Sequence, residues 1–287
     1  MINCTVIIYI IIILLGLVCL LPLLNIVAIS FSSSAAVEGN MVGLIPVGFS
    51  TAAYKKILED SQFWHSFLIS VERVVLALII NFVLIVLMAY PLSKTNAQFR
   101  GRNIYANLMI FAMLFNGGMI PTFLVVKSYG LLNTVWALVL PGAVPIFNVI
   151  LVMNFFAAVP KELEEAAFID GANPFQVLTK IFIPISKPVL ATVSLFSIVG
   201  SWNDFYSGLI YMSKAAYYPL MTYIQSLQIN VEDLIKQGNL SAVVDSASLG
   251  NTNLNAAKIV IAVIPLLLIY PLLQRYFVSG IVEIGRA

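Results

Sequence analysis

Glu162, Glu164, Glu165 and Asp170 fall within nine consecutive positions of a 287-residue chain that holds only 13 Asp and Glu in all. A carboxylate cluster can ligate a metal, run acid–base chemistry or meet basic groups on another protein. The first two need company that is missing: there is one histidine, His65, no cysteine pair at metal spacing and no nucleophile–base set. Cys4 and Cys19 lie in the first apolar segment with no His or acid beside them and read as lipid-facing or packing residues. No GxxxxGK[ST] phosphate loop occurs, so the chain does not itself hydrolyse ATP. We expect no catalytic residue and no metal ligand. The cluster reads as a handle, gripped by something outside the membrane.

The elements that must carry this handle follow from composition. The chain is 61% hydrophobic and 10% charged, with a mean hydropathy of +0.99, against roughly half apolar and about a quarter charged in a soluble domain. It is an integral membrane protein. A net charge of +2 and scattered basic residues exclude a phosphate-tracking surface. About 20 apolar residues cross a hydrocarbon core near 30 Å thick, and helices do so because lipid offers the backbone no partners. Six windows qualify: 6–31, 67–92, 104–126, 131–159, 189–212 and 256–277. The first lacks a basic front and exceeds a signal peptide's apolar stretch, which points to a retained span. The sixth is the weakest, and Lys258 and Arg275 would have to snorkel to the surfaces. With both termini cytoplasmic, the loop "SKTNAQFRGR", three bases and no acid, lies inside, as the positive-inside rule asks. The polar stretches 32–62 and 213–255 then lie outside, the second carrying the Ser/Asn-rich piece "NLSAVVDSASLGNTNLN". The whole chain, 1–287, is expected to be one all-α domain.

In this topology the acidic cluster belongs to the longest inside loop, 160–187, which reads as ordered. Pro160 suits a first helical turn, and Glu162, Glu164 and Glu165 follow where the helix dipole favours negative charge. Gly171 can adopt the left-handed conformation that stops a helix, and Asn173-Pro174 can start another. Phe175, Leu178, Ile181 and Phe182 recur at helical spacing until Pro184 breaks the second helix. At these residues the chain resembles a known family. "EAAFIDGANPFQVLTKIFIP" is similar to the EAA loop of the membrane subunits of binding-protein-dependent ABC importers, with Glu165, Ala166, Ala167, Gly171, Ile181 and Pro184 at the family's positions and Ile183 where Leu is common. The stretches "PISKPVLATVSLFSIVGSWNDFYSGLIYM" and "NGGMIPTFLVVKSYGLLNTVWALVLPGAVPIFNVILVMNFF" resemble carbohydrate-uptake permeases of the maltose type. "LLPLLNIVAISFSSS" and "GMIPTF" look most like permeases for oligo- and polysaccharides, of the alginate and pectin-fragment kind.

The resemblance implies a multi-pass permease of a bacterial cytoplasmic membrane. It further implies a second, related permease, an ATPase dimer that binds ATP and magnesium, and an extracytoplasmic solute-binding protein. No cofactor is implied on this chain. By the same resemblance the loop is a coupling helix docked on the ATPase through Glu165, Ala166, Ala167, Phe168, Asp170, Gly171, Ala172 and Pro174.

Within the spans, ionisable residues are costly and therefore candidates. Trp202, Asn203 and Asp204, with Asn116, offer the aromatic, amide and carboxylate groups that hydroxyl-rich ligands bind, and could border a sugar pathway. A polar clasp to a neighbouring helix is equally compatible with Asp204. Glu72 and Arg73, near the outer end of the second span, are expected to snorkel or to pair with another subunit. Asn116, Gly117, Gly118 and Pro121 interrupt the third span, as a cavity-lining break or as a packing kink. Trp64 and His65 are expected at headgroup level. An ion-coupled secondary transporter is the rival reading; the single Asp204 and the lack of a visible internal repeat count against it.

Overall fold

The computed structural model describes residues 4–227 and 252–284. Most of the Ser/Asn-rich piece, through Asn251, lies outside the described residues, as do Lys236, Arg286 and the side chains of Cys4 and Arg275. The fold is all-α, with no strand among the described residues. Three helices are individually long and apolar enough to cross a membrane: α1 (Cys4–Ser30), α3 (Ser61–Ser93) and the first 20 residues of the last helix, α13 (Thr252–Ile284). Between α1 and α3 lies the amphipathic α2 (Ala52–Glu59).

The other windows are broken, and in 104–126 the break falls at the expected interruption by Asn116, Gly117, Gly118 and Pro121. At 104–126 the chain forms α4 (Arg102–Leu114) and α5 (Met119–Ser128), whose axes differ by 112°. Consecutive glycines carry the break: Gly118 sits at φ +90°, and its N–H donates to Asn116 Oδ1 at 2.9 Å. Window 131–159 becomes α6 (Val135–Gly142) and α7 (Ile146–Ala157), bent by 47° around Pro141 and Pro145, each of which removes a backbone donor. Window 189–212 becomes α10 (Lys187–Asn203) and α11 (Tyr206–Tyr211), parted at Asp204 and Phe205. Before it, α8 (Lys161–Ile169) and α9 (Pro174–Ile185) form the 160–187 loop, and α9 meets α10 at 84°. A helical stretch at 220–227, α12, completes the set. Counting each bent pair as one span gives up to six.

The described chain divides into two compact units. In the first (Met1–Ser66 and Leu220–Pro265), the segment after α1 folds back. Ser32 Oγ accepts from Val47 N–H at 3.0 Å, Asn25 Nδ2 donates to Gly43 O at 2.7 Å, and Phe31 stacks between Phe49 and Tyr54. Ile57 and Phe63 are fully buried in it. In the second (Phe67–Pro219 and Leu266–Ala287), one core joins Ile85, Val86, Ala89 and Leu92 of α3 to Val149, Val152 and Phe156 of α7, Val177, Leu178 and Phe182 of α9, and Val189, Leu190 and Val193 of α10. The inside loop is thus built into the span bundle through α9.

Leucine gains nothing by moving from lipid to a helix contact, so cohesion between spans comes from close packing and polar pairing. Among the described residues there are three ion pairs, Arg73–Asp204, Lys94–Glu164 and Lys258–Asp60. The last corrects the expectation that Lys258 snorkels. Its side chain is 4% exposed and donates to Asp60 Oδ2 at 2.8 Å and to Tyr223 Oη at 3.2 Å. Burial alone would raise the Asp60 carboxyl, but bonds from Lys258, Phe63 N–H and Tyr223 outweigh it and hold the carboxyl below its ordinary value.

Candidate functional site

The inside loop is shaped by local chemistry. Helix α8 opens with Glu162 and Glu164 in its first turn and ends in a full Schellman motif: Gly171 N–H donates to Phe168 O at 3.1 Å and Ala172 N–H to Ala167 O at 2.9 Å. Gly171 takes φ +82° with nothing within 4 Å of where a Cβ would stand, so conformation, not crowding, demands glycine. Two residues on, Asn173 caps α9 in a reciprocal box, accepting from Gln176 N–H while Gln176 Oε1 accepts from Asn173 N–H, with Pro174 in the first turn.

The second helix outlasts the expected break at Pro184. Leu178–Phe182 form a π turn, with Ile183 N–H reaching Leu178 O, and this wider turn accommodates the ring. The chain bends instead at Ser186.

What this loop shows to solvent is mixed. Glu162, Glu165, Ala166, Phe168, Asp170, Gly171 and Pro174 are exposed, and so are Ile169, at 86%, and Phe175, at 66%. Ala167 and Ala172 are half-buried against the α7–α9 core. They also line a cavity of about 520 Å³ with Asp170, Gly171, Gln176, Val177, Lys180 and Ile181.

Glu164 departs from the expectation that all the acids of the cluster face outward. It is 8% exposed and accepts from Lys94 Nζ at 2.7 Å and from Tyr90 Oη at 3.4 Å. Burial pushes the Lys94 ammonium below the ordinary lysine value, with Glu164 pulling the other way. Sequence reading counted Lys94 only as an orienting charge, since nothing local links it to a carboxylate 70 residues away.

In the spans the candidate pathway residues separate. Asp204 is clasped: Arg73 Nη1 donates to its backbone O at 2.8 Å, Arg73 Nη2 pairs with its Oδ2, and its Oδ1 accepts from Ser207 N–H at 3.1 Å, capping α11. This corrects the reading of Arg73, which is 4% exposed and paired within its own chain. The Asp204 carboxylate and backbone carbonyl lie within reach of the guanidinium and satisfy it inside the chain. Trp202 is 4% exposed and packs edge-on against Phe67 at 5.7 Å, so its ring face is not offered to a ligand. Asn203 and Asn116 are exposed.

Sequence reading missed a cavity of about 240 Å³ beside the clasp, lined by Arg73, Asn81, Asn148, Ser197, Ser201, Asp204 and Ser207 among others. Asn81, Asn148 and Ser197 fall within the apolar windows 67–92, 131–159 and 189–212. Neutral polar residues inside apolar runs were the available signal. The Arg73 Nε–H, buried in the same wall, has no partner among the described residues.

Residues 45–283 match the family model described as "Binding-protein-dependent transport system inner membrane component". Protein LplC of Bacillus subtilis (strain 168) is 41% identical over 92% of this chain and 88% of its own length. The polygalacturonan/rhamnogalacturonan transport system permease protein YtcP of the same organism is 39% identical over 92% of this chain and 91% of its own. Among solved structures, a chain of a bacterial ABC transporter involved in the import of the acidic polysaccharide alginate superposes with a TM-score of 0.83 at 33% identity, covering 95% of this chain and 96% of that one.

Proposed function

The chain belongs to the family of binding-protein-dependent transport system inner membrane components, and from that premise we propose that it is the permease subunit of an ATP-driven importer of a carbohydrate, an oligo- or polysaccharide. It is a multi-pass membrane transport component, not an enzyme. The carbohydrate assignment is supported by relatives whose names specify polygalacturonan/rhamnogalacturonan and arabinooligosaccharide transport, and by the structural likeness to the alginate importer.

The observation that carries the mechanism is the loop at 160–187. A capped, bent helix pair with exposed Phe168, Ile169 and Phe175 beside exposed Glu165 and Asp170 suits a protein partner better than bulk water. In this reading the loop is the coupling element. Glu165 and Asp170 meet basic groups of an ATPase subunit, Phe168 and Ile169 enter its groove, and Ala166, Ala167, Ala172, Gly171 and Pro174 set the approach and the bend. ATP and magnesium are bound by that partner. The remaining partners are a solute-binding protein on the outer side and a second, related permease, and both termini of this chain face the cytoplasm.

We place substrate passage along the polar cavity, whose neutral amides and hydroxyls (Asn81, Asn148, Ser197, Ser201) suit a ligand rich in hydroxyls and whose wall includes the clasped Asp204, with the exposed Asn203 and Asn116 as further candidates. The test is purification in mild detergent followed by uptake in proteoliposomes, using labelled oligogalacturonates and alginate oligosaccharides. A co-purifying ATPase and uptake that needs ATP and a binding protein are expected. Uptake driven by a proton or sodium gradient with ATP absent would overturn the reading.

A further inference from the structure

Helix α8 touches the span bundle at one polar point. Glu164 Oε2 and Lys94 Nζ stand 2.7 Å apart, with the two side chains 11% and 12% exposed. The ammonium lies between two aromatic rings, 4.1 Å from the centroid of Tyr90 and 4.2 Å from that of Phe182. Those rings meet edge-on at 5.1 Å, Phe182 meets Phe156 of α7 in the same way at 5.4 Å, and the Tyr90 hydroxyl closes the cage onto Glu164. Lys94 directly follows the C-terminus of α3, and Glu164 occupies the first turn of α8. Each charge therefore sits at the helix end whose dipole favours it.

An exposed pair is worth about 0–1 kcal/mol and would steer nothing. This one is covered, charge-assisted and caged by cation–π contacts, so removing either member leaves a desolvated charge. Apolar packing such as that of Val177 and Leu178 lets helices slide by a fraction of a side chain. A caged ion pair fixes register.

We infer that Lys94 and Glu164 form the joint that fastens α8 to the inner end of α3, so that movement of α8 is delivered to α3 and not absorbed by the loop. Both are positioning residues of the coupling step, and the inference rests on the reading of 160–187 as the loop that meets an ATPase. It assigns the two neighbouring acids of the cluster, about 100° apart on the helix, to different contacts. Glu165 points outward to the partner and Glu164 inward to the span.

The test uses the complex with its co-purified ATPase and binding protein in proteoliposomes, and reads oligogalacturonate or alginate oligosaccharide imported per ATP hydrolysed. Glu164→Gln, which keeps shape and hydrogen bonding, and Lys94→Met, which keeps the stem in the cage, should each lower that ratio about five-fold or more, the low end of ordinary coupling free energies. The ATPase should still co-purify with both. Lys94→Arg, retaining charge and cation–π contact, should stay within about two-fold of the unmodified complex. The double variant should be no worse than the poorer single, since one joint can be lost only once. Ratios unchanged in Glu164→Gln, or defects that multiply in the double, overturn the joint. Should Lys94→Met fail to accumulate, Glu164→Gln decides alone. An unmodified complex that retains no ATPase overturns the proposed function itself, and the joint with it.

Discussion

Replacing Gly171 by a graded series tests whether the bend between α8 and α9 is the working shape of the loop. An alanine Cβ would meet nothing within 4 Å, so sterics with neighbours drop out and only the backbone term at φ +82° remains. For an L-residue in the left-handed region that term is about 1–2 kcal/mol. Opposing it are the two Schellman bonds, Gly171 N–H to Phe168 O and Ala172 N–H to Ala167 O, each worth about 0.5–1.5 kcal/mol net. At the unfavourable end, a cost of about 2 kcal/mol against about 1 kcal/mol from the two bonds, Gly171→Ala leaves about one chain in six bent. Apparent affinity for a partner that recognises the bent form falls by the same fraction, a loss of up to about six-fold.

Gly171→Asn should lie within about two-fold of the unmodified chain because Asn tolerates this conformation. Gly171→Pro should abolish binding, since the ring fixes φ near −65° and removes the donor to Phe168 O. Titration of the ATPase subunit onto the permease in detergent, followed by sugar-stimulated ATP hydrolysis, reads the series. Asn as damaging as Pro, or Ala and Pro both indistinguishable from glycine, would refute the reasoning.

Further expectations concern single contacts. Glu165→Lys should leave membrane insertion intact while abolishing sugar-stimulated ATPase activity in the assembled complex; normal stimulation refutes the outward role of that carboxylate. Arg73→Met should destabilise the purified subunit by less than the about 3–5 kcal/mol of a fully buried pair, because the Asp204 side chain keeps 29% exposure, whereas Arg73→Met with Asp204→Leu should recover most of the loss in a thermal melt. Asp60 contributes stability with a defined sign. Its folded value is depressed below the ordinary 3.8, so the contribution is present above that value and is lost as pH falls through the folded one. Unfolding midpoints should therefore drop on acidification through about pH 4, and the Asp60→Asn variant should show a shallower drop over the same range.

The loop was legible because its grammar is local. Pro160, Gly171, Asn173 and Pro174 act on backbone within a few residues, and the structure places each where that chemistry directs. Apolar runs likewise located the membrane helices, and Asn116-Gly117-Gly118 marked the break in 104–126. The bend around Pro141 and Pro145 went unread because hydropathy averages over such residues. The ion pairs were illegible for a different reason. Snorkelling is a property of one residue and its depth, whereas pairing needs a partner that the fold delivers from 131 residues away for Arg73 and 198 for Lys258. Glu72 and Arg73 are adjacent, so on a helix they point about 100° apart and make no self-contained pair, and the arginine turned inward alone.

The two pairs of the second unit share a helix, and that shapes what α3 can do. Arg73 and Lys94 are 21 residues apart, about 30 Å along a helix axis. Between them the helix is uninterrupted apart from Pro91 near its end. At its C-terminal end it is held to α8 by the caged Lys94–Glu164 pair, and at Arg73 it holds the point where α10 gives way to α11. Asn81, about halfway along this length, lines the polar cavity whose wall also includes Arg73 and Asp204. A displacement entering at Glu164 would reach the cavity through one stiff stretch of α3 held at Arg73 and beside Lys94, while the broken helices α4–α5 and α6–α7 have hinges that would dissipate it. Selection of α3 as the rod has a direct consequence. A glycine pair substituted at Val83 and Leu84, mid-helix and outside the buried core, should cost about 1–2 kcal/mol of helix propensity. It should uncouple ATP hydrolysis from import without weakening ATPase binding. The same pair placed at Met113 and Leu114, beside a break that already exists, should leave coupling unchanged; equal damage from both positions would remove α3 from the path.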